Sequence, residues 1–286
     1  MKEVLVLSGK GGTGKTSISS SFIYFAEHCV ACDYDVDASN LHILLNPDGI
    51  EAHPFSSSDV AVIDPEGCTQ CGLCEEICRF DAIEDFQVSP LACEGCAFCF
   101  HVCPVDAIKM QSRSSGRWFA SLSEQQKPFY YAELRPGEEN SGKLVAQVKN
   151  AAREKAVEQE IPLIIADGPP GIGCAVISSM VSVNLAIIVA EPSLSGFHDM
   201  KRVYELLAAE QLKAVLIINK CDLNLDVTKE MEEWAVQHNV PCAGRIPYNK
   251  VLADAITRAE IPASVDEVRS MLFPIWENVL EYINQP

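Results

Sequence analysis

The sequence is short of positive charge. Its 286 residues carry 22 Lys and Arg against 40 Asp and Glu, a formal net charge of −18. Binding nucleic acid depends on cations that neutralise phosphates, so this balance argues against a nucleic-acid partner. Also missing are an apolar run of 18 residues, which a membrane-crossing helix needs, and a basic segment beside one. Met1-Lys2-Glu3 leads straight into an apolar stretch with no secretory leader pattern, so the expectation is a cytoplasmic chain without membrane insertion. Cysteine is plentiful instead, with 13 residues, and in a cytosolic chain that points to metal rather than to disulfides. A hydrophobic content of 48% suffices for a large core and one or two domains.

Val4-Leu5-Val6-Leu7 reads as a buried strand, Ser8 to Thr16 as a glycine-rich loop, and Ser17 to Ile23 as the helix that follows. Gly9, Gly14, Lys15 and Thr16 fill the fixed positions of G-x-x-x-x-G-K-[ST]. Glycines let backbone N–H groups curl around a polyphosphate, a lysine ammonium neutralises its outer oxygens, and a hydroxyl ligates Mg2+. Val30 to Leu41 reads as a second buried strand that ends in the carboxylates Asp33, Asp35 and Asp37, and the carboxyl end of a parallel strand is where a doubly wound sheet receives its ligands. Cys29 and Cys32 have the spacing of a redox pair, but the plainer reading is the buried end of a helix and a strand.

From 54 to 112 the α/β rhythm stops and two near copies of one phrase appear 25 residues apart. Cys68, Cys71, Cys74 and Cys78 form the first, and Cys93, Cys96, Cys99 and Cys103 the second. In C-x2-C-x2-C-x3-C three thiolates wrap one face of a cubane and the fourth ligates the neighbouring cluster. The spacing therefore implies two 4Fe-4S clusters, one on Cys68, Cys71, Cys74 and Cys103, the other on Cys93, Cys96, Cys99 and Cys78. The pattern resembles a two-cluster bacterial ferredoxin. Arg79 stands where that pattern usually has proline, which adds a cation near one cluster without touching ligation. Zinc seldom takes eight cysteines in this cadence.

Downstream, Gly116 to Ala120 and Phe129 to Leu134 look like strands, and a helix capped by Asn140 or Ser141 runs to about Glu158. Ile161 to Gly171 is a further buried strand that ends in Asp167. Two more core strands cover Asn184 to Glu191 and Ala214 to Asn219, with a helix near Phe197 to Glu210 between them. Asn219-Lys220-Cys221-Asp222 superficially matches a guanine reader, N-K-x-D. Gly244 to Tyr248 reads as the last strand and the loop after it. Val268, Leu272, Ile275, Trp276, Val279 and Ile283 sit at helical spacing among acidic rather than basic residues, which favours a core-packing helix over a membrane-seeking one.

Lys10, Gly11, Gly12, Gly14, Lys15 and Thr16 together resemble the deviant P-loop of the MinD/ParA group, which includes the nitrogenase iron protein and the Mrp-type iron-sulfur carriers. The resemblance spans nearly the whole chain. It implies an α/β, doubly wound, mostly parallel sheet over 1–53 and 113–286, with a small ferredoxin-like α+β domain inserted at 54–112. Gly9, Gly11, Gly12, Thr13, Gly14, Lys15 and Thr16 would then hold ATP, Thr16 and Asp167 would hold Mg2+, and Gly171 would sense the γ-phosphate. Asn219 and Pro247 would meet the base. Lys10 would reach across an ATP-bound homodimer, and Lys15 would act on the phosphates in cis. Asp35 would orient the attacking water, although sequence alone does not separate it from Asp33 and Asp37. Cys174 lies seven residues beyond Asp167, the offset at which the nitrogenase iron protein carries a bridging cluster ligand, but no cysteine lies between Cys103 and Cys174 to complete such a bridge. The expected function is an ATPase whose nucleotide-gated dimer couples hydrolysis to electron transfer from its clusters to a partner protein. The alternative is a carrier that assembles or delivers iron-sulfur or related metal cofactors to an acceptor; a third reading is a positioning ATPase with structural clusters.

Overall fold

Val4, Leu5, Val6 and Leu7 are fully buried in the computed structural model, which describes residues 1–138 and 141–285. They form β1 (Lys2–Ser8), which leads into α1 (Lys15–Phe25), β2 (Val30–Asp33) and the short α2 (Leu41–Leu45). Next come β3 (Asp48–Ile63), α3 (Leu73–Glu76), β4 (Ile83–Glu84), β5 (Gln87–Val88), α4 (Phe98–Val102) and β6 (Ile108–Leu122). The chain continues through β7 (Pro128–Leu134), α5 (Ser141–Glu158), β8 (Leu163–Pro170), α6 (Cys174–Met180), β9 (Leu185–Ala190) and α7 (Leu194–Ala209). It closes with β10 (Ala214–Asn219), α8 (Leu225–Gln237), β11 (Cys242–Ile246), α9 (Lys250–Thr257) and α10 (Asp266–Asn284). Asn140, one of the two cap residues expected for α5, lies outside the described residues.

The chain divides into two units. Met1–Ala52, Trp118–Glu133 and Ser141–Pro286 form the first, and His53–Arg117 with Leu134–Asn140 the second. Among the described residues nine strands make one sheet in the order β11-β10-β9-β1-β8-β2-β7-β6-β3, of which β3 and β6 each have residues in both units. β1 pairs in parallel with β8 and β9, β2 with β7 and β8, and β10 with β9 and β11. That register sets Val6 beside Asp167 and Asp33 beside Asp167, which brings two carboxylates to one end of neighbouring strands.

In the first unit both sheet faces are covered, as strands apolar on both sides require. Val4, Val6, Ile165, Ile187 and Ile217 share a core with Ile18 and Phe22 of α1 and with the apolar face of α10. Phe22 and Trp276 meet at 5.1 Å between ring centroids. Leu5, Leu7, Ile164 and Ile188, on the opposite pleat, are equally buried, and α5, α6 and α7 pack against these strands. The side chains of α10 selected by helical spacing are the ones that are buried.

The second unit is built differently. Its core cluster is small, Ala61, Cys74, Ile83 and Ile108, with Ile63, Val88, Met110 and the cysteines Cys78, Cys93, Cys99 and Cys103 packed against it. β4 and β5 form an antiparallel hairpin whose turn residues Asp85 and Phe86 both have positive φ, as a two-residue primed turn demands. The unit reaches beyond 54–112 because Ser57 and Ser115 share a 2.7 Å hydroxyl hydrogen bond and the Arg135 amide donates to Ser115 O at 2.9 Å. β3, 16 residues long, has no counterpart among the expected strands. Only Phe55 and Ala61 along it are buried, so it carries almost no apolar period to read.

Candidate functional site

Residues 9–14 turn the chain from the end of β1 into α1. Gly14, at φ 91°, holds the N-cap of α1, and no side chain caps the helix. The first N–H groups of α1 therefore stay available to an anion, with the positive end of the helix dipole behind them. Gly14 also has to be glycine because a Cβ there would lie 2.2 Å from Asn219 Nδ2. Thr13 is buried and its hydroxyl has no hydrogen-bond partner, an orphan that a ligand oxygen in the loop would satisfy.

Asp167, fully buried at the end of β8, gathers the motif's reactive side chains. Its carboxylate accepts from Lys15 Nζ at 3.1 Å, Thr16 Oγ1 at 2.6 Å and Ser19 Oγ at 2.7 Å. Asp33 serves as a scaffold. One oxygen accepts the Asp35 amide at 3.0 Å, while the other accepts Ser39 Oγ at 2.9 Å and the Asn40 and Leu41 amides at 3.1 Å each, fastening the loop that starts α2. Burial, and then the nearby Asp167 charge, raise the Asp33 carboxyl to about 7 against the pull of Lys15. Burial also raises Asp35, which lies within reach of the Lys15 charge, while Asp37 is exposed. The Gly171 amide donates to Ser8 O at 2.8 Å.

Lys10 points elsewhere. Its ammonium pairs with Glu191 Oε1 at 2.7 Å and donates to Ser195 Oγ at 3.2 Å and Ser193 Oγ at 3.4 Å, on the connection from β9 to α7 and the first turn of α7. Lys220 meets Glu191 Oε2 and Gly12 O, each at 3.1 Å. Asn219 Nδ2 donates to Thr13 O at 2.7 Å and its Oδ1 accepts the Lys220 amide at 3.0 Å, so this side chain grips the phosphate loop. Asp222 Oδ1 accepts the Tyr248 amide at 2.6 Å, which fixes the loop through Pro247. Ser19, Glu191 and the loop-binding role of Lys220 escaped the sequence reading. Ser19 lies one helical turn past Lys15, a signal that was available; Glu191 gave none, since its partners come from distant segments.

In the second unit the cysteine repeats fold alike. Gln70 and Gly72 in the first copy and Gly95 and Ala97 in the second, 25 residues on, all have positive φ, and so do Asp81 and Asp106 three residues past each fourth cysteine. Alternating left-handed residues turn successive N–H groups toward one point, the concavity that anionic clusters occupy. The Gln70, Ala82 and Ala107 amides lie 3.4, 3.4 and 3.3 Å from the sulfurs of Cys68, Cys78 and Cys103. Among the described residues no group of three or more His, Cys, Asp or Glu is drawn together to hold a single metal ion. The cysteines instead surround two cavities. Cys68, Cys71, Cys74 and Cys103 line one, and Cys78, Cys93, Cys96 and Cys99 line the other, of about 330 Å3, together with Arg79. Each quartet includes the fourth cysteine of the other repeat.

Cys29 and Cys32 are buried; burial raises the Cys29 thiol to about 11 and the Cys32 thiol further. Cys174 is exposed at the first residue of α6. No helix among the described residues is long and apolar enough to cross a membrane.

The family model of the CobQ/CobB/MinD/ParA nucleotide binding domain matches residues 4–263. An uncharacterised protein of Methanocaldococcus jannaschii is 33% identical over 284 residues, covering 98% of this chain and 97% of its own length. Among solved structures, the ATP complex of McdA(D38A) from Cyanothece superposes with a TM-score of 0.59 at 16% identity, covering 100% of this chain and 97% of that one. The septum site-determining protein MinD of Pyrococcus horikoshii, complexed with Mg-ADP, gives 0.58 at 16% identity over 99% and 97% of the two chains.

Proposed function

The chain belongs to the CobQ/CobB/MinD/ParA nucleotide-binding family and is a P-loop ATPase of the MinD/ParA type, and on that premise we propose that it is an iron-sulfur ATPase. Its ATP-gated homodimer couples hydrolysis to electron transfer from two 4Fe-4S clusters to a partner protein. The observation that carries this reading is the sorting of eight cysteines into two cavities, each lined by three from one repeat and the fourth from the other. The small core of the second unit, in which Cys74, Cys78, Cys93, Cys99 and Cys103 pack among a few aliphatic side chains, also leaves it short of apolar burial, which bound clusters would make good.

On the nucleotide side, Asp167 and Thr16, now hydrogen-bonded to each other, are the residues that would hold Mg2+, which would supply charge to offset the phosphates. Lys15, released from Asp167, turns to the phosphates above the free N–H groups of α1. Asp35 orients the attacking water. Gly171 gives up its hydrogen bond to Ser8 O for the γ-phosphate, so the loop between β8 and α6 moves with hydrolysis. In the second unit the Cys68 quartet and the Cys78 quartet would each hold one cluster; bound clusters supply one-electron carriage, and the amides near Cys68, Cys78 and Cys103 stabilise charge on the sulfurs.

Anaerobic redox titration with and without ATP and Mg2+ tests the proposal. Eight irons per chain and a potential that shifts with ATP are expected. Transfer of clusters to an apo-acceptor with no shift would move the reading to a carrier, and clusters indifferent to ATP in both assays would reduce them to structure.

A further inference from the structure

Glu191 follows directly on β9 and faces two lysines at once. One oxygen takes Lys10 at 2.7 Å and the other takes Lys220 at 3.1 Å. All three side chains are largely covered, with exposures of 31% for Lys10, 28% for Lys220 and 18% for Glu191. Burial pushes the Glu191 carboxyl up, yet the hydrogen bonds and charges of Lys10 and Lys220 outweigh it and hold it below the ordinary range. Lys10 also has the Ser193 and Ser195 hydroxyls, so the three donors of its ammonium have three acceptors. A lysine so provided for is docked rather than loosely solvated, and it is docked away from the start of α1, where Lys15 and Thr16 meet Asp167.

We propose that Glu191 is a positioning residue that latches Lys10 within its own chain and releases it when a nucleotide-loaded second copy docks. The inference rests on the proposed reading that Lys10 acts across an ATP-bound dimer. For Lys10 to reach a neighbour's phosphates its three contacts must break together, which sets a threshold against dimerisation without nucleotide. Lys220 makes the release feasible. Gly12 O keeps it in place, so when Lys10 leaves, the Glu191 carboxylate still has a counter-charge and is not stranded. A simple structural ion pair would not need the second lysine.

Two readouts test the latch on Glu191→Gln, with Glu191→Asp, too short to span both lysines, as a second variant should the first fold poorly. The first is the rate at which a succinimidyl ester acylates Lys10 in the nucleotide-free chain, followed by peptide mass spectrometry. The second is the ATP concentration at half-dimerisation in sedimentation with Mg2+. Given the size of partly exposed ion pairs, Lys10 acylation should quicken about two- to fivefold and the ATP midpoint should fall by a similar factor. Adding Lys10→Ala to Glu191→Gln should cancel the gain in dimerisation. An unchanged acylation rate, or a midpoint that stays or rises, overturns the latch alone if the wild-type chain dimerises; a wild type that stays monomeric with ATP removes the dimer reading and the latch with it.

Discussion

Lys15 and Asp167 form an ion pair in which the side chains are 7% and 0% exposed. Removing one member of a buried pair leaves the other uncompensated, at a cost of about 3–5 kcal/mol. Lys15→Ala should therefore both abolish tight ATP binding and lower the melting temperature, read by calorimetric titration and thermal denaturation. Lys10 is a contrasting residue, since its partner Glu191 retains Lys220. Lys10→Ala should keep monomer ATP affinity within about twofold, as expected for a group outside the cis phosphate cradle, yet lose ATP-dependent dimerisation in sedimentation. Thiol chemistry separates Cys29 and Cys32 from Cys174 in the same way. With the Cys29 thiol raised to about 11 by burial and Cys32 higher still, neither forms thiolate near neutral pH, whereas Cys174 is exposed. Brief iodoacetamide treatment of the anaerobic protein should label Cys174 and spare the other two in peptide mapping.

At the scale of elements, each cysteine repeat contributes three cysteines to the lining of one cavity and one to that of the other, the proposed cluster sites. Cys78→Ser should consequently damage the cluster of Cys93, Cys96 and Cys99 and spare that of Cys68, Cys71 and Cys74, leaving about half the iron and one of two paramagnetic signals. Loss of the Cys68 cluster instead would overturn the crossed assignment. In the first unit α10 is held on the sheet by shape. Trp276 is 3% exposed and packs on Phe22 with the ring planes tilted by 36°, while a Cβ at Gly244 of β11 would come 2.6 Å from Ile275 Cγ1. Trp276→Ala should lower stability by about 3–5 kcal/mol in denaturant titration, the usual cost of emptying a large aromatic site.

At the scale of the molecule the two units draw on different sources of stability. The first has a deep apolar core on both faces of its sheet, and the second has a small core cluster, Ala61, Cys74, Ile83 and Ile108, with four further cysteines and a few aliphatic side chains packed on it. Stripping iron with a chelator should thus split thermal unfolding in two. A low transition would report the second unit, while the higher one would still respond to Mg-ATP, rising as RT ln(1 + [L]/Kd) requires. A single ATP-responsive transition unaffected by chelation would mean that clusters contribute nothing to folding.

Local chemistry determined much of this protein directly in its sequence. Gly9, Gly14, Lys15 and Thr16 announce a phosphate loop because glycine, ammonium and hydroxyl are needed at fixed chain offsets, and the repeated cysteine spacing, equally local, is what prompts the cluster proposal. The helical period of Val268 to Ile283 likewise marked the buried face of α10 before any packing was known. What tertiary structure decided are the relations between distant segments. β3 carries no apolar alternation, so only its partners reveal it as a strand. Asp33, Asp35 and Asp37 look equivalent in the chain, and they separate into scaffold, buried carboxylate near Lys15 and exposed side chain only once β2 lies beside β8. Glu191 has no local signature at all: its two lysines lie 181 positions before it and 29 after it, and only the parallel order of β1, β9 and β10 brings three charges from three strand ends to one point.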